Sequence, residues 1–215
     1  QKAPFGGNEW IWIRAGVGDF VPHGGILAEL DHCDEENDDL SEHIRNVVII
    51  SSLRSISQDP MFGVRQLVDI ALKALSPGIN DPTTAENALF HLGDALGHLA
   101  ERSLPDPELT ADNGRTRIIF SRPTWDDFVR AAFSQIRREA ADDVHVTGTI
   151  LQVLYDLALR VPPGPRGQAI QHQVAEIRRS IDENSFSAVD KAALNRRIDE
   201  VEQVLQTQFV APTQE

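Results

Sequence analysis

The chain has 215 residues, with 33 acidic and 20 basic side chains and a formal net charge of −13. That length supports one substantial core, with room for a small appendage and not for a second full domain. The acidic balance is spread along the chain and argues against nucleic acid, which needs a concentrated basic face. A single cysteine, Cys33, forms no internal disulfide and fits a reducing, cytoplasmic compartment. No apolar run approaches the roughly 18 residues of a membrane span, and no signal peptide is visible. Taken alone, the sequence is expected to be soluble.

Residues 1–7 read as a frayed lead-in. Residues 9–14, EWIWIR, are rich in aromatic and β-branched side chains. The apolar pieces 19–21 and 26–30 lie among Gly16, Gly18, Pro22, Gly24 and Gly25, so a small β unit is expected here. Trp10 and Trp12 then share a strand face, as a ligand platform or, more commonly, as packing against a neighbouring sheet or helix. The acidic run 31–39, DHCDEENDD, offers His32, Cys33, Asp34, Glu35 and Glu36 to a cation. Its spacing matches neither an EF-hand loop nor separated cysteine pairs; no metal is assigned, and a solvated loop leading into a short helix is expected. Residues 47–52, VVIISS, read as a buried strand.

The next thirty or so residues carry the strongest local signals. Asp59-Pro60 and Asp81-Pro82 each pair an N-cap with proline at the first helical position, where the missing N–H costs nothing. Between them Ser76-Pro77-Gly78-Ile79 predicts a type II turn. The first helix, about 60–75, sets Val64, Leu67, Val68, Ala71, Leu72 and Leu75 on a buried stripe with Ile70 and Ala74 beside it. The second, about 82–102, buries Ala85, Ala88, Leu89, Leu92, Leu96 and Leu99, and the two are expected to form an antiparallel hairpin. At 1.5 Å per residue the first helix is about 22 Å long, which keeps Asp59 and Asp81 too far apart to act as a catalytic pair. His91 and His98 are about 10.5 Å apart in rise, so with Asp94 they read as a solvated or interhelical face.

After Pro105 and Pro107, residues 115–122, RTRIIFSR, read as a strand completing the small sheet. Thr124 caps the helix that follows, 144–161 is another amphipathic helix, and Pro162-Pro163-Gly164-Pro165 ends it. The last two helices carry Ile170, Val174, Ile177, Ile181 and Leu194, Ile198, Val201, Leu205 at coiled-coil spacing, a second antiparallel hairpin and a route to self-association. The fold class is therefore α+β, mainly α: a helical bundle with a small N-terminal β unit, divided as 1–58 and 59–215.

Two groups of residues are candidates for chemistry. At the corner, Lys73, Ser76, Asn80, Asp81, Thr83 and Thr84 surround a turn and a helix start that a small ligand can approach closely. The same choices are explained by Asp81 capping the N–H groups of Thr83 and Thr84. At the strand-to-helix junction, Arg54, Gln58, Asp59 and Arg65 form either an anion clamp or an ion pair that fixes the helix start. No nucleophile elbow, P-loop or dinucleotide fingerprint is present, so no catalytic residue or cofactor is assigned.

Residues 54–85, RSISQDPMFGVRQLVDIALKALSPGINDPTTA, resemble the core signature of the family of predicted bacterial membrane proteins named domain of unknown function 2254. GVGDFVPHGGILAEL, residues 16–30, is similar to the segment before that core. The resemblance implies transmembrane helices ahead of this region, absent here, and it brings no established activity. With Gln1 in place of methionine, the expectation is a soluble domain cut from a membrane protein, lying on the cytoplasmic side, forming a homo-oligomer and reaching the membrane through those helices. The functional expectation is a noncatalytic interaction, assembly or ligand-sensing module. The alternatives are a hydrolase with its site at the SPGINDPTT corner and a regulatory domain of a transporter or channel.

Overall fold

The computed structural model describes residues 10–31, 38–110 and 115–210. In chain order these form β1 (Trp10–Ile13), β2 (Ala28–Asp31), α1 (Asp38–Val47), α2 (Pro60–Leu75), α3 (Pro82–Ala100), β3 (Glu108–Thr110), β4 (Arg117–Phe120), α4 (Trp125–Glu139), α5 (Val144–Arg160), α6 (Pro165–Glu183) and α7 (Ala188–Val210). The class is α+β, mainly α. The suggested cation ligands His32 to Glu36 lie outside the described residues. Two compact units emerge: one drawn from the chain up to Phe62 together with Pro105–Arg122, the other from Gly63–Leu104 and from Pro123 onward.

The first unit holds one mixed sheet in the order β2-β1-β4-β3. β1 runs antiparallel to β2 and parallel to β4, with Ile11 opposite both Leu30 and Ile118, so alternation gives an apolar row across one face. Ile11 is its most buried member at 2% exposure. On the other face Trp10 and Trp12 stack with ring centroids 5.8 Å apart, and the Arg117 guanidinium lies 5.6 Å from the Trp10 ring. β4 belongs to this sheet through pairing on both edges, with β3 just before it and with β1 over a hundred residues earlier.

The expected strand at 47–52 does not form. α1 runs to Val47, its last turn extended by the Val48 N–H to the Ile44 carbonyl at 3.2 Å, and the chain beyond is irregular. Ile49 and Ile50 are 83% and 71% exposed. A short aliphatic run satisfies the pattern of a buried strand, but it pairs with no strand of the four-stranded sheet.

In the second unit, α3 lies along α5, α5 along α7, and α4 along α6. Contacts between Glu86 and Thr149, Gly93 and Val153, and Gly97 and Arg160 keep a nearly constant offset, so α3 and α5 run parallel. α6 and α7 are antiparallel, since Lys191 reaches Asp182 while Arg178 reaches Asp199 and Glu202. The coiled-coil stripes of these last two helices are wholly buried. Each such leucine or isoleucine contributes about 1.5–3 kcal/mol by leaving water.

The expected α2–α3 hairpin is not among the close helix pairs. Gly93 and Gly97 let α3 approach α5 instead: a Cβ on Gly93 would meet Val153 Cγ1 at 2.6 Å. α2 is also less buried than its stripe suggested. Met61, Val64, Val68, Ala71 and Ala74 are covered, whereas Ile70 is 48% exposed.

Candidate functional site

The junction group is built by a helix start and a glycine turn in the first unit. Proline at Pro60 has no N–H to donate, and Asp59 accepts that of the third helical residue, from Phe62 to Oδ1 at 3.2 Å. Its other oxygen, Oδ2, accepts Arg54 Nε–H at 3.1 Å and a second bond from Nη2. The Asp59 side chain is 5% exposed and that of Arg54 32%. The guanidinium also lies 5.1 Å from the centre of the Phe62 ring, so the residue that donates to the cap supplies a face for the cap's counter-ion. Backbone bonds from Gln58 and Asp59 to the Ser55 carbonyl, at 3.2 and 3.0 Å, hold Arg54 and Asp59 within reach.

Gly18 closes this group from the other side. Its φ is +84°, and a Cβ there would overlap both Asp59 Oδ2 and the Arg54 guanidinium. The turn is set by Asp19, whose N–H donates to the Gly16 carbonyl at 3.1 Å and whose carboxylate accepts the Gly16 N–H at 2.9 Å. Gly18 and Phe62 were missing from the sequence-derived group. The signal available for them was a glycine-aspartate turn upstream and an aromatic three residues after a capping aspartate. Gln58 and Arg65 are exposed, and the Asp59 carboxylate's described hydrogen-bond partners are Arg54 and Phe62.

The corner group resolves into caps. Asp81 Oδ1 accepts the Thr84 N–H at 3.1 Å, and Oδ2 accepts the Thr84 hydroxyl at 2.5 Å. The hydroxyl bond, followed by the backbone bonds of Thr84 and Thr83, holds the Asp81 carboxyl below its ordinary range. The closing carbonyls of α2 are taken up within the turn: Lys73 O by the Ser76 hydroxyl at 2.7 Å, Ala74 O by the Asp81 N–H at 2.8 Å. Ile79 and Asn80 both donate to Ser76 O at 2.9 Å. The turn is not type II, because Gly78 does not take a positive φ; the left-handed residue is Asn80, at φ +48°. Asparagine tolerates that region, and Pro-Gly permits a type II turn without requiring it. The side chains of Lys73, Asn80 and Thr83 are exposed.

At the opposite end of α3 lies a cleft of about 450 Å³ between Ala100, Arg102, Ser103, Pro163, Pro165 and Arg166. Arg166 donates to the carbonyls of Ala100 and Arg102, at 2.5 and 2.7 Å, capping the C-terminus of α3 where a cation is favoured. Trp125 Nε1 donates in turn to the Arg166 carbonyl at 2.9 Å. With 19 residues in α3, this cleft and Asp81 are about 28 Å apart. Along the helix Asp94 pairs with His98 at 3.7 Å and Arg160 at 4.0 Å, and among the described residues no cluster of three metal-ligating side chains forms.

Residues 7–156 match the family described as predicted membrane protein, domain of unknown function 2254. The chain belongs to this family. An uncharacterized protein of Mycobacterium bovis and two of Mycobacterium tuberculosis strains are each 32% identical over 183 residues, covering 82% of this chain. The match spans 34% of the length of those relatives. No solved structure matches the chain. Family membership thus brings a membrane setting and no chemistry, and among the described residues no helix is long and apolar enough to cross a membrane.

Proposed function

We propose that this chain is a noncatalytic interaction and assembly module of a membrane protein, placed on the cytoplasmic side and forming a homo-oligomer. The observation that carries the reading is the state of the two candidate carboxylates. Asp81 has both oxygens on Thr84, and Asp59 has one on Phe62 and the other on Arg54. A hydrolytic site built on either of these carboxylates needs it open to substrate or water, and both are engaged by the fold's own donors. The buried stripes of α6 and α7 give a rigid hairpin whose outer faces are available to a second copy. The single cysteine supports a reducing compartment.

Native mass spectrometry of the chelator-free protein, wild type beside Asp81→Asn, tests this. The expected result is the same bare multiple of 23.8 kDa for both. A bound mass present in the wild type and lost in the variant would overturn it in favour of a ligand site at the corner. A strict monomer at high concentration would remove the assembly part.

A further inference from the structure

Among its described residues the first unit exposes several large apolar side chains. Phe20 is 90% exposed, Leu53 83%, Ile50 71%, Val17 68%, Val47 63% and Ile56 58%. They come from two loops and the end of α1, and the loops are adjacent, because Gly18 lies against the Arg54–Asp59 pair. Val17 and Phe20 flank this contact on one loop, and Leu53 and Ile56 flank Arg54 on the other. α1 itself is in none of the close element pairs, although Ile44 and Val47 place apolar side chains one turn apart on it.

The charge of this surface departs from that of the chain. Residues 43–58, between Glu42 and Asp59, contain Arg45, Arg54 and His43 and no acid, and Arg54 neutralises Asp59, in a protein of net charge −13. Residues 20–28 also contain no acid, and the neighbouring Asp19 is engaged with Gly16. An acidic protein approaches a headgroup layer only by a face free of its acids. Side chains that project singly from loops are poorly matched to a second protein, which requires close shape complementarity, and well matched to acyl chains, which do not. The relatives are about three times as long as the matched region, and their family is described as membrane proteins, so a bilayer lies within reach of this unit.

We infer that Val17, Phe20, Val47, Ile50, Leu53 and Ile56 seat in the headgroup–acyl boundary of a lipid bilayer, with the Arg54–Asp59 pair clamping the two loops into one face. The inference rests on the membrane setting of the proposed module and names the surface that meets the lipid.

Co-flotation with vesicles of mixed phosphatidylcholine and phosphatidylglycerol at physiological salt tests it. The wild type floats, and Phe20→Ser/Ile50→Ser/Leu53→Ser lowers the partition on the order of a hundred-fold. Val189→Ser, at a site 78% exposed in the other unit, leaves it unchanged. Phe20→Ser alone, with its melting temperature measured beside the wild type, separates loss of the face from loss of fold. A wild type that stays with the unbound fraction, or a triple variant that floats equally, overturns the proposal. So does a wild-type dimer that ignores vesicles and is split by the triple variant, since a second copy then covers the face. The oligomer is read separately by native mass spectrometry, so a chain that assembles without floating loses the lipid face and keeps the module reading.

Discussion

Asp59 and Asp81 begin from one local signal, aspartate followed by proline, and both cap helices, yet their surroundings differ. Asp59 is buried, ion-paired with Arg54 and closed over by Gly18, which is far away in sequence. Asp81 is half-buried, and both its carboxylate oxygens bond to Thr84, three residues on. A cap is therefore a local property, whereas the role of the capping carboxylate depends on what the rest of the chain brings to it. At the junction the carboxylate holds distant segments together; at the corner it starts a helix.

The largest test of this contrast is Gly18→Ala, which combines an unfavourable φ of +84° with overlap on a buried ion pair. A loss of about 3 kcal/mol in chemical denaturation is expected. Arg54→Ala follows, at about 2 kcal/mol, because it leaves Asp59 buried without its counter-ion while partial exposure of the arginine lets water return. If either costs no more than an ordinary surface change, the junction is not a clamp. Gly78→Ala probes the corner with the opposite sign: the residue has no positive φ and a Cβ there meets nothing within 4 Å. A gain of about 0.4–1 kcal/mol is expected, from a less flexible unfolded chain.

Asp81→Asn gives the smallest effect, and it is gated by pH. Because the folded carboxyl titrates below its ordinary 3.8, its charge contributes stability above that value and loses it as the pH falls further. The difference in melting temperature between wild type and variant should be present at neutral pH and vanish in strong acid. A difference that grows on acidification has the wrong sign for a depressed carboxyl.

Local signals in the sequence carried much of this. The aspartate and threonine caps, the proline-led helix starts and the stripes of α6 and α7 depend on neighbours within a few residues, and the structure has them where expected. Residues 47–52 failed because an aliphatic run looks the same whether it will be covered by a strand or left on a surface. The α2–α3 hairpin failed because the helix pairing turns on Gly93 and Gly97, whose value is an approach distance and not a hydrophobicity. The corner carboxylate was visible as a candidate, but its engagement with the Thr84 hydroxyl is a rotamer, which no residue pattern specifies.

Titration of the Asp81 side-chain carbonyl by carbon-detected NMR reads the central claim most directly. The account predicts a midpoint below the ordinary 3.8, set by bonds from Thr84. A midpoint raised toward neutrality would mean a carboxyl released from its cap and able to exchange protons with a substrate, and would contradict the noncatalytic reading at the residue on which it rests.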